Sequence, residues 1–331
     1  MDIGGCVSDD VLELAVGGPH GARTVRVSHP ERVCFPELGV TKADVVRYFV
    51  SVGDGVLAAL RERPVTLERW PAGVHPGSKL AVWQGARGDA FFQRRVPRGA
   101  PAWVETVRVG GPEGSVIDAV CPTEIAVVAW AANLGTLTFH PWPVRRAHLD
   151  HPDQMWIDLD PQRDTTFRDA VRVALELRAL LADLGMAGFP KTSGVRGVHV
   201  VVPIHPRWSM ADVHRALIAL AEELVRRMPR QATMEWFKRD RGARVYVDCS
   251  PQTVASAYSV RPTPRAMVSA PVTWEELTVV EPTDFDVKTM PRRFAAVGDV
   301  HAELGAQRYG IEPLLELAAR HERDRTGGQV G

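Results

Sequence analysis

The stretch MWIDLDP, residues 155 to 161, places two carboxylates two positions apart inside an otherwise apolar run. Side chains of a β-strand alternate between its two faces, so Asp158 and Asp160 project to one side, away from the core that their apolar neighbours enter. Like charges on one strand face repel each other, and a buried charge without a partner is costly. Two oxygen ligands at this spacing suit Mg²⁺ or Mn²⁺, which would neutralise both charges.

A third carboxylate, Asp248 in RVYVDCS, follows another apolar strand in the same way and is a third candidate ligand. The D-x-D pattern alone is a weak signal. Its carboxylates can also be solvated groups that cap a turn at the end of a strand. Both interpretations stay open on these residues alone.

The second informative stretch is KTSGVRGVHVVVP, residues 191 to 203, one predicted helix further along the chain. Its small residues let backbone amides approach an anion closely, and they are Ser193, Gly194 and Gly197. Arg196 adds a forked cation for phosphate oxygens, and His199 on the following strand can donate a hydrogen bond to phosphate. A tight β-hairpin with a structurally bonded histidine is the alternative. A metal site beside an anion site predicts phosphoryl or nucleotidyl transfer.

Length and composition are those of a globular chain without a bulk basic field. The 331 residues carry equal numbers of acidic and basic side chains, 45% are hydrophobic and 24% are charged. No C-x-x-C pair occurs, which argues against a zinc knuckle or disulfide scaffold and for a reducing compartment; the cysteines are Cys6, Cys34, Cys121 and Cys249. No signal peptide or membrane-length apolar run is visible, so we predict a cytoplasmic protein without a membrane partner.

Strand-like and helix-like segments alternate after residue 150, which predicts an α/β or α+β class with sheets flanked by helices. Upstream, TKADVVRYFVSVGDGVLAALRERP predicts one helix capped by Thr41, and TEIAVVAWAANLG predicts a helix from a Thr123 cap to Gly135. Further along, SMADVHRALIALAEELVRRMP predicts a helix that begins after Ser209. No low-complexity spacer separates the halves, so we predict a single catalytic domain with an N-terminal subregion.

Five segments follow one another in a recognisable order: DLDP, SGVRGVH, VYVD, AYSVRPTP and VTWEEL. Together with upstream segments such as RPVTLERWPAG and LGTLTFHPW, they resemble the polymerase domain of bacterial ligase D, in the archaeo-eukaryotic primase superfamily. The resemblance covers residues 23–300, with an N-terminal subregion at 23–150 and a metal- and nucleotide-binding core at 151–300. Residues 1–22 are then a flexible N-terminus, and 301–331 a C-terminal helix and tail. The implied architecture is the primase-polymerase fold, with central mixed sheets.

The resemblance implies a template-dependent polymerase that adds NTPs or dNTPs to a DNA 3′ end during end joining or gap filling. It implies that two Mn²⁺ or Mg²⁺ ions are held by the catalytic residues Asp158, Asp160 and Asp248. The implied nucleotide contacts are Ser193, Gly194, Arg196, His199, His140, Lys238, Arg241 and Arg261. The implied DNA contacts are Arg32, Lys42, Arg69, Phe91 and Phe92. DNA ends or gapped DNA, Ku and a separately encoded ligase are the implied partners, in a nucleoid-associated location.

Without the resemblance, several of these residues have plainer interpretations. Phe91 and Phe92 would be core residues, although adjacent strand positions cannot both face one core. Arg32 and Lys42 would be ordinary surface cations. His140 would be a residue at a helix-to-strand junction.

The chain departs from the family pattern at two places. Glu68 stands where a basic residue is expected before RWP, and DCSPQ gives Gln252, with a shortened loop, where an asparagine is usual. Neither a K-x-D-G ligase motif nor a His-rich nuclease segment is present, so a stand-alone polymerase domain is expected. The alternatives are a catalytically weakened DNA-end-binding or bridging protein and another D-x-D metal-dependent nucleotide-using transferase.

Overall fold

The computed structural model describes residues 7–8, 10–19, 21–81, 88–111, 114–249 and 253–327. The chain divides into two compact units, each assembled from more than one segment. The first unit comprises Met1–Trp142, Ala255–Ala270 and Thr283–Asp299, and the second comprises Pro143–Val254, Pro271–Pro282 and Val300–Gly331. Because these segments alternate, neither unit corresponds to one uninterrupted stretch of sequence.

The regular elements are numbered along the chain. The strands are β1 (Val7–Ser8), β2 (Val11–Val16), β3 (Arg23–Ser28), β4 (Val33–Phe35), β5 (Val40–Thr41), β6 (Val65–Arg69), β7 (Leu80–Ala81), β8 (Ala90–Gln93), β9 (Thr106–Gly110), β10 (Val116–Val120), β11 (Thr136–Pro141), β12 (Gln154–Pro161), β13 (Phe189–Thr192), β14 (Val198–Pro203), β15 (Ala232–Thr233) and β16 (Val245–Asp248). The helices are α1 (Lys42–Ser51), α2 (Gly53–Leu60), α3 (Ile125–Asn133), α4 (Phe167–Asp183), α5 (Met210–Arg227), α6 (Trp274–Leu277), α7 (Met290–Val297) and α8 (Glu312–Gly327).

The largest sheet in the described part of the first unit has six strands. Its order is β7-β8-β6-β10-β9, with β11 also paired to β6. The β7–β8 pair is parallel and the others are antiparallel, so the sheet is mixed. Helices α1 and α3 pack against each other, and the run AVVAWAA of α3 is buried throughout. A helix that is apolar on all sides belongs in a core, which explains its position.

The predicted N-terminal helix is present as two helices, α1 and α2, which meet at Val52. Thr41 caps α1 as predicted, because its hydroxyl accepts from the Asp44 amide at 3.2 Å and Asp44 bonds back to the Thr41 amide. In α2, a Cβ atom at Gly55 would lie 2.4 Å from the Tyr258 ring. Glycine weakens a helix but permits this close packing, so Gly55 lets α2 lie against the Tyr258 ring.

The predicted Thr123 cap of α3 is wrong. Glu124 occupies the N-cap position, and its side chain makes no bond to the helix backbone. It pairs instead with Nε of Arg23 at 3.0 Å, while the Thr123 hydroxyl donates to Oε1 of Glu105 at 3.1 Å. Contacts with distant parts of the first unit therefore replace the local cap that the sequence favours.

The second unit contains a five-stranded sheet in the order β13-β14-β12-β16-β15. Strand β12 is antiparallel to both of its neighbours and ends at Pro161 as predicted, and β15 is parallel to β16. Helix α4 packs on β12 and β14. On one face of β12, Trp156 packs with Val201 and Val254. Strand alternation places Asp158 and Asp160 further along this same face.

These mixed sheets flanked by helices confirm the predicted α/β class. In the second unit, α5 is capped by Ser209 as predicted, and its side packs against α8. Arg215 and Glu322 join those two helices at 2.8 Å. Within the ranges that the structure describes, no helix combines the length and apolarity needed to cross a membrane.

Candidate active site

A row of polar residues crosses four adjacent strands of the five-stranded sheet. Lys191 on β13 is paired with His199 on β14, His199 with Asp158 on β12, and Asp158 with Asp248 on β16. Residues directly opposite each other in an antiparallel ladder point to the same side of the sheet. Two strand segments that are 90 positions apart in sequence (Asp158 and Asp248) thus present their carboxylates side by side.

The three carboxylates fit oxygen-preferring divalent ions in composition and in backbone register. Cα atoms of paired residues on adjacent strands lie about 4.5–5.5 Å apart, which applies to Asp158 and Asp248, and Asp160 follows on the same face. Among the described residues, no three His, Cys, Asp or Glu side chains stand close enough together to form a metal group. The strand register places the three carboxylates on one face of the sheet, although they do not form such a three-residue group.

Each carboxylate of β12 has a nitrogen-bearing neighbour, and a buried thiol lies close by. Oδ1 of Asp158 lies 3.4 Å from Nε2 of His199, and Oδ2 of Asp160 accepts from Nε2 of Gln162 at 3.1 Å. Burial, with the charges of the neighbouring aspartates, raises the pKa of the Cys249 thiol well above its ordinary value.

The turn between β13 and β14 is a tight hairpin that packs on β12. The Ser193 hydroxyl accepts from the amides of Val195 at 3.3 Å and Gly197 at 2.9 Å. Gly194 has a φ of +75°, which favours glycine. A Cβ atom at Gly197 would lie 2.5 Å from the carbonyl oxygen of Leu159. Two of the turn's amides are therefore used within the hairpin, and the predicted anion binding depends on side chains at its rim.

A cavity of about 660 Å³ lies at the end of β12 and is bounded by Asp160 and Gln162. Cations line its wall, and they are Arg163, Arg196, Lys238 and Arg239. Its size is within the range of small-molecule sites, and its four cations outnumber its two carboxylates, Asp160 and Asp164, which suits an anionic ligand. The sequence predicts Arg196 and Lys238 but does not single out the other two. Their signal was present, because Arg163 lies two residues after the end of β12 and Arg239 is adjacent to Lys238.

Two predicted nucleotide contacts also hold loops in place. Nη2 of Arg196 donates to the carbonyl oxygen of Thr165 at 2.7 Å, although the side chain is exposed at the cavity. Arg241 is buried, its Nη2 donates to the carbonyl oxygen of Trp236 at 3.0 Å, and its guanidinium lies 3.4 Å from the centre of the Tyr246 ring. Arg241 therefore ties its own loop to strand β16.

In the first unit, His140 pairs with Glu68, the residue that departs from the family pattern. Nε2 of His140 lies 2.9 Å from Oε2 of Glu68, and Nε1 of Trp70 donates to Oε1 at 2.9 Å. Glu68 is only 3% exposed. Burial raises the pKa of Glu68, but the hydrogen bonds and charges of His140, Arg261 and Trp70 outweigh it and leave that pKa below its ordinary value. An ionised glutamate thus replaces the expected cation and engages the histidine.

Phe91 and Phe92 are both partly exposed, at 38% and 37%, so neither is a core residue. The Phe92 ring meets the His140 ring edge-on at 5.4 Å, and the Arg69 guanidinium lies 5.2 Å from the centre of the Phe91 ring. Nε of Arg69 also donates to the carbonyl oxygen of Leu134 at 2.9 Å. Both rings of this predicted DNA-contacting pair are therefore accessible, and each also contacts a neighbouring side chain.

Two of the predicted DNA contacts, Arg32 and Lys42, differ in their surroundings. Arg32 is exposed, and its Nη1 donates to the carbonyl oxygen of Pro71 at 3.0 Å. Lys42 is 8% exposed, and its Nζ donates to the carbonyl oxygen of Ser28 at 2.6 Å. Burial, followed by the charge of Arg32, lowers the pKa of Lys42 from 10.5 to about 8. Lys42 is thus a buried cation that loses its proton at lower pH than an ordinary lysine.

We expect the Lys42→Met variant to lack a rise in stability that the unchanged protein gains above about pH 8. The folded protein releases the Lys42 proton near pH 8, whereas the unfolded chain keeps it until about pH 10.5. Over this interval the unfolded state binds more protons, so stability rises with pH by at most about 1.4 kcal/mol per unit. Urea unfolding of both proteins from ~pH 7 to ~pH 9.5 measures the difference. Parallel curves for the two proteins would contradict the buried-lysine assignment.

The predicted site residues fall into two groups, one in each unit. The second unit holds Asp158, Asp160, Asp248, Ser193, Gly194, Arg196, His199, Lys238 and Arg241. The first unit holds His140, Arg261, Arg32, Lys42, Arg69, Phe91 and Phe92. The departure at Gln252, with its shortened loop, lies outside the described residues.

Residues 41–301 match the family described as the LigD primase-polymerase domain. The chain belongs to this family. The polymerase domain of ligase D from Mycobacterium tuberculosis, solved in complex with DNA, has a TM-score of 0.75 and 26% identity to this chain; the match covers 86% of this chain and 98% of that domain. The predicted family and the predicted primase-polymerase fold are both confirmed.

Curated LigD proteins are similar over most of this chain. The multifunctional non-homologous end joining protein LigD of Mycolicibacterium smegmatis is 29% identical over 308 residues, which are 91% of this chain and 39% of that protein. The LigD protein of Pseudomonas aeruginosa is 30% identical over 276 residues, covering 81% of this chain and 31% of that protein. The chain thus spans about a third to two-fifths of these relatives' length.

Proposed function

We propose that this protein is a template-dependent nucleotidyltransferase that adds NTPs or dNTPs to a DNA 3′ end in non-homologous end joining or gap-filling repair. The observation that carries the proposal lies in the second unit. Asp160 belongs both to the carboxylate face of β12 and to the cavity that four cations line. Carboxylates for divalent ions and cations for phosphates therefore meet at one point, as nucleotidyl transfer requires.

The reaction joins the 3′ oxygen of a primer to the α-phosphorus of a nucleotide and breaks the bond to pyrophosphate. Asp158, Asp160 and Asp248 would hold two Mn²⁺ or Mg²⁺ ions. Bound there, the ions would favour ionisation of the 3′ hydroxyl and neutralise charge on the leaving group. Arg196 and Lys238 would orient the triphosphate from the cavity wall, Arg196 through its forked guanidinium.

Exposed aromatic rings beside cations support contact with nucleic acid. Trp236 and Phe237 are 72% and 59% exposed, and they directly precede Lys238 and Arg239 in the chain. The Arg239 guanidinium lies 5.2 Å from the centre of the Phe237 ring. Stacking surfaces interleaved with positive charge suit single-stranded nucleic acid, because every base has a face that can stack. The proposal includes DNA ends as the substrate. Ku and a ligase, in a nucleoid-associated location, are the proposed partners at those ends.

The direct test is extension of a gapped DNA that carries a 5′-phosphate, with Mn²⁺ or Mg²⁺ and labelled NTPs or dNTPs. We expect template-directed extension by the unchanged protein and none by Asp158→Ala. Asp118→Ala is the matched control, because Asp118 is also a half-buried strand aspartate and lies in β10. Fluorescence anisotropy on the same DNA measures binding separately from extension.

Each combination of results leads to a different conclusion. Extension that Asp158→Ala abolishes and Asp118→Ala retains supports the polymerase. If the protein binds DNA without extending it, and Asp158→Ala binds equally well, the polymerase proposal fails and a DNA-binding protein is supported. If the protein neither extends nor binds the DNA, both the polymerase and the binding protein are excluded, and a different nucleotide-using transferase is favoured.

A catalytically weakened DNA-end-binding or bridging protein is the second candidate, and Glu68 favours it. This buried carboxylate stands where the family pattern has a cation and occupies Nε2 of His140. A negative charge there repels phosphate, and a histidine already bonded is less available to a nucleotide. Binding and extension measured on the same DNA distinguish the two candidates.

A further inference from the structure

Lys191 is a buried cation whose position no motif explains. It lies on β13, is 2% exposed, and precedes the Ser-Gly turn by two residues. Burying an ammonium is costly unless it is hydrogen-bonded, so its contacts indicate what it does. The cross-strand row described above places it beside His199, which in turn stands beside Asp158.

The distances along the row determine which nitrogen of the His199 ring carries hydrogen. Nζ of Lys191 lies 2.6 Å from Nδ1 of His199, and Nε2 of the ring lies 3.4 Å from Oδ1 of Asp158. An ammonium can only donate and a carboxylate can only accept. Nδ1 must therefore accept, and Nε2 must bear the hydrogen that faces the carboxylate. Both neighbours select the same tautomer, each from its own side of the ring.

We propose that Lys191 is a positioning residue that fixes the His199 ring with Nδ1 as acceptor and Nε2–H as the donor facing the active site. The ligand class follows from the donor. Phosphate oxygens accept hydrogen bonds, as the Asp158 carboxylate does, so an Nε2–H can serve either partner without rotating the ring. This part rests on the proposed function, in which the phosphate belongs to a nucleoside triphosphate.

Without Lys191 the ring loses the shorter of these two contacts, so its orientation is less firmly fixed. The terminal torsion of a histidine side chain is broad, and a neutral ring can place its hydrogen on either nitrogen. In Lys191→Met, a donor is lost with little change in volume, and we expect a mixture of the two tautomers. A His199 whose Nε2 is bare would turn a lone pair toward the carboxylate and toward any phosphate, which is repulsive.

The first experiment needs no activity. Nitrogen NMR of the whole protein labelled in its histidines distinguishes protonated from bare ring nitrogens, and His199→Gln assigns the His199 signals. We expect Nε2 protonated and Nδ1 bare in the unchanged protein, and averaged signals in Lys191→Met. Lys191→Arg, which restores a donor, is expected to recover the original pattern. A protonated Nδ1 in the unchanged protein would overturn the proposal, even if Lys191→Met failed to fold.

The second experiment tests the link to phosphate through binding of ATP with Mg²⁺. Loss of one oriented charge-assisted contact is expected to weaken binding by about tenfold in Lys191→Met. Adding Lys191→Met to His199→Ala is expected to have no further effect, because Lys191 acts through the ring. Lys288→Met removes an exposed lysine of the first unit and is the control for the loss of one lysine. If the losses in the double variant are additive, Lys191 acts as a general positive charge and not through the His199 ring.

The two experiments separate this inference from the proposed function. If the protein extends no DNA but shows the expected tautomer, the polymerase proposal fails and the role of Lys191 stands. If the protein extends DNA while the His199 signals are unchanged in Lys191→Met, the polymerase proposal stands and the proposed role of Lys191 fails.

Discussion

Replacing Asp248 with asparagine is expected to lower nucleotide addition by about 10³-fold while leaving the fold intact. Asp248 is paired with Asp158 across adjacent strands, and the proposed ions need both charges. Asparagine keeps the volume and one oxygen but removes the charge. The measurement is kcat/KM for primer extension, because a ligand that acts mainly in the transition state affects this ratio through kcat.

The same substitution is expected to act on stability in the opposite direction. Like charges directly opposite each other in a sheet repel, so removing one is expected to raise the free energy of unfolding by about 0.2–1 kcal/mol. Asp118→Asn is the control, since Asp118 faces Arg108 across its strand pair at 3.6 Å and should show no catalytic loss. Extension by Asp248→Asn within tenfold of the unchanged protein would remove Asp248 from the mechanism.

Replacing Gly197 with alanine is expected to lower the free energy of unfolding by about 1–3 kcal/mol and to weaken nucleotide binding. The added Cβ atom would meet the carbonyl oxygen of Leu159 at 2.5 Å, and a backbone atom cannot rotate aside. The hairpin would have to move away from β12. Because His199 follows two residues later on β14, its position relative to the carboxylates would change as well.

Urea unfolding and ATP binding measure the two effects of this change. Gly305→Ala is the matched control, because a Cβ atom at Gly305 would meet no heavy atom within 4 Å and both glycines belong to the second unit. A Gly197→Ala protein whose unfolding free energy stays within about 0.5 kcal/mol of the original would mean that the hairpin does not depend on this contact.

Local patterns predicted the elements of the chain better than their junctions. The carboxylate strand, the Thr41 and Ser209 caps and the mixed α/β class follow from alternation, capping residues and helical periodicity. The single N-terminal helix was wrong because it divides at Val52, and the Thr123 cap was wrong because Thr123 and Glu124 bond to distant residues. No local pattern contains those contacts.

The residue types of the site could be predicted from the sequence, but the pairs that those residues form across strands could not. The three aspartates and Arg196 are visible in the sequence, whereas the pairing of Asp158 with Asp248 depends on long-range strand register. Lys191 was overlooked for the same reason, since its importance arises only when β13 pairs with β14. The engagement of His140 by Glu68 likewise results from the β6–β11 pairing of the first unit. Register is set by the whole core, which short motifs do not encode.

Strand β12 is bonded along both of its edges, to β14 on one side and to β16 on the other. Amides in such a strand open to deuterium only in the largest fluctuations of a protein, so they exchange last. We therefore expect slow amide exchange in the backbone that carries the acidic face, whereas Lys238 lies on an exposed connection outside the sheet. On progressive denaturation, the second unit would lose its ability to bind anions before it lost strand β12, which carries Asp158 and Asp160.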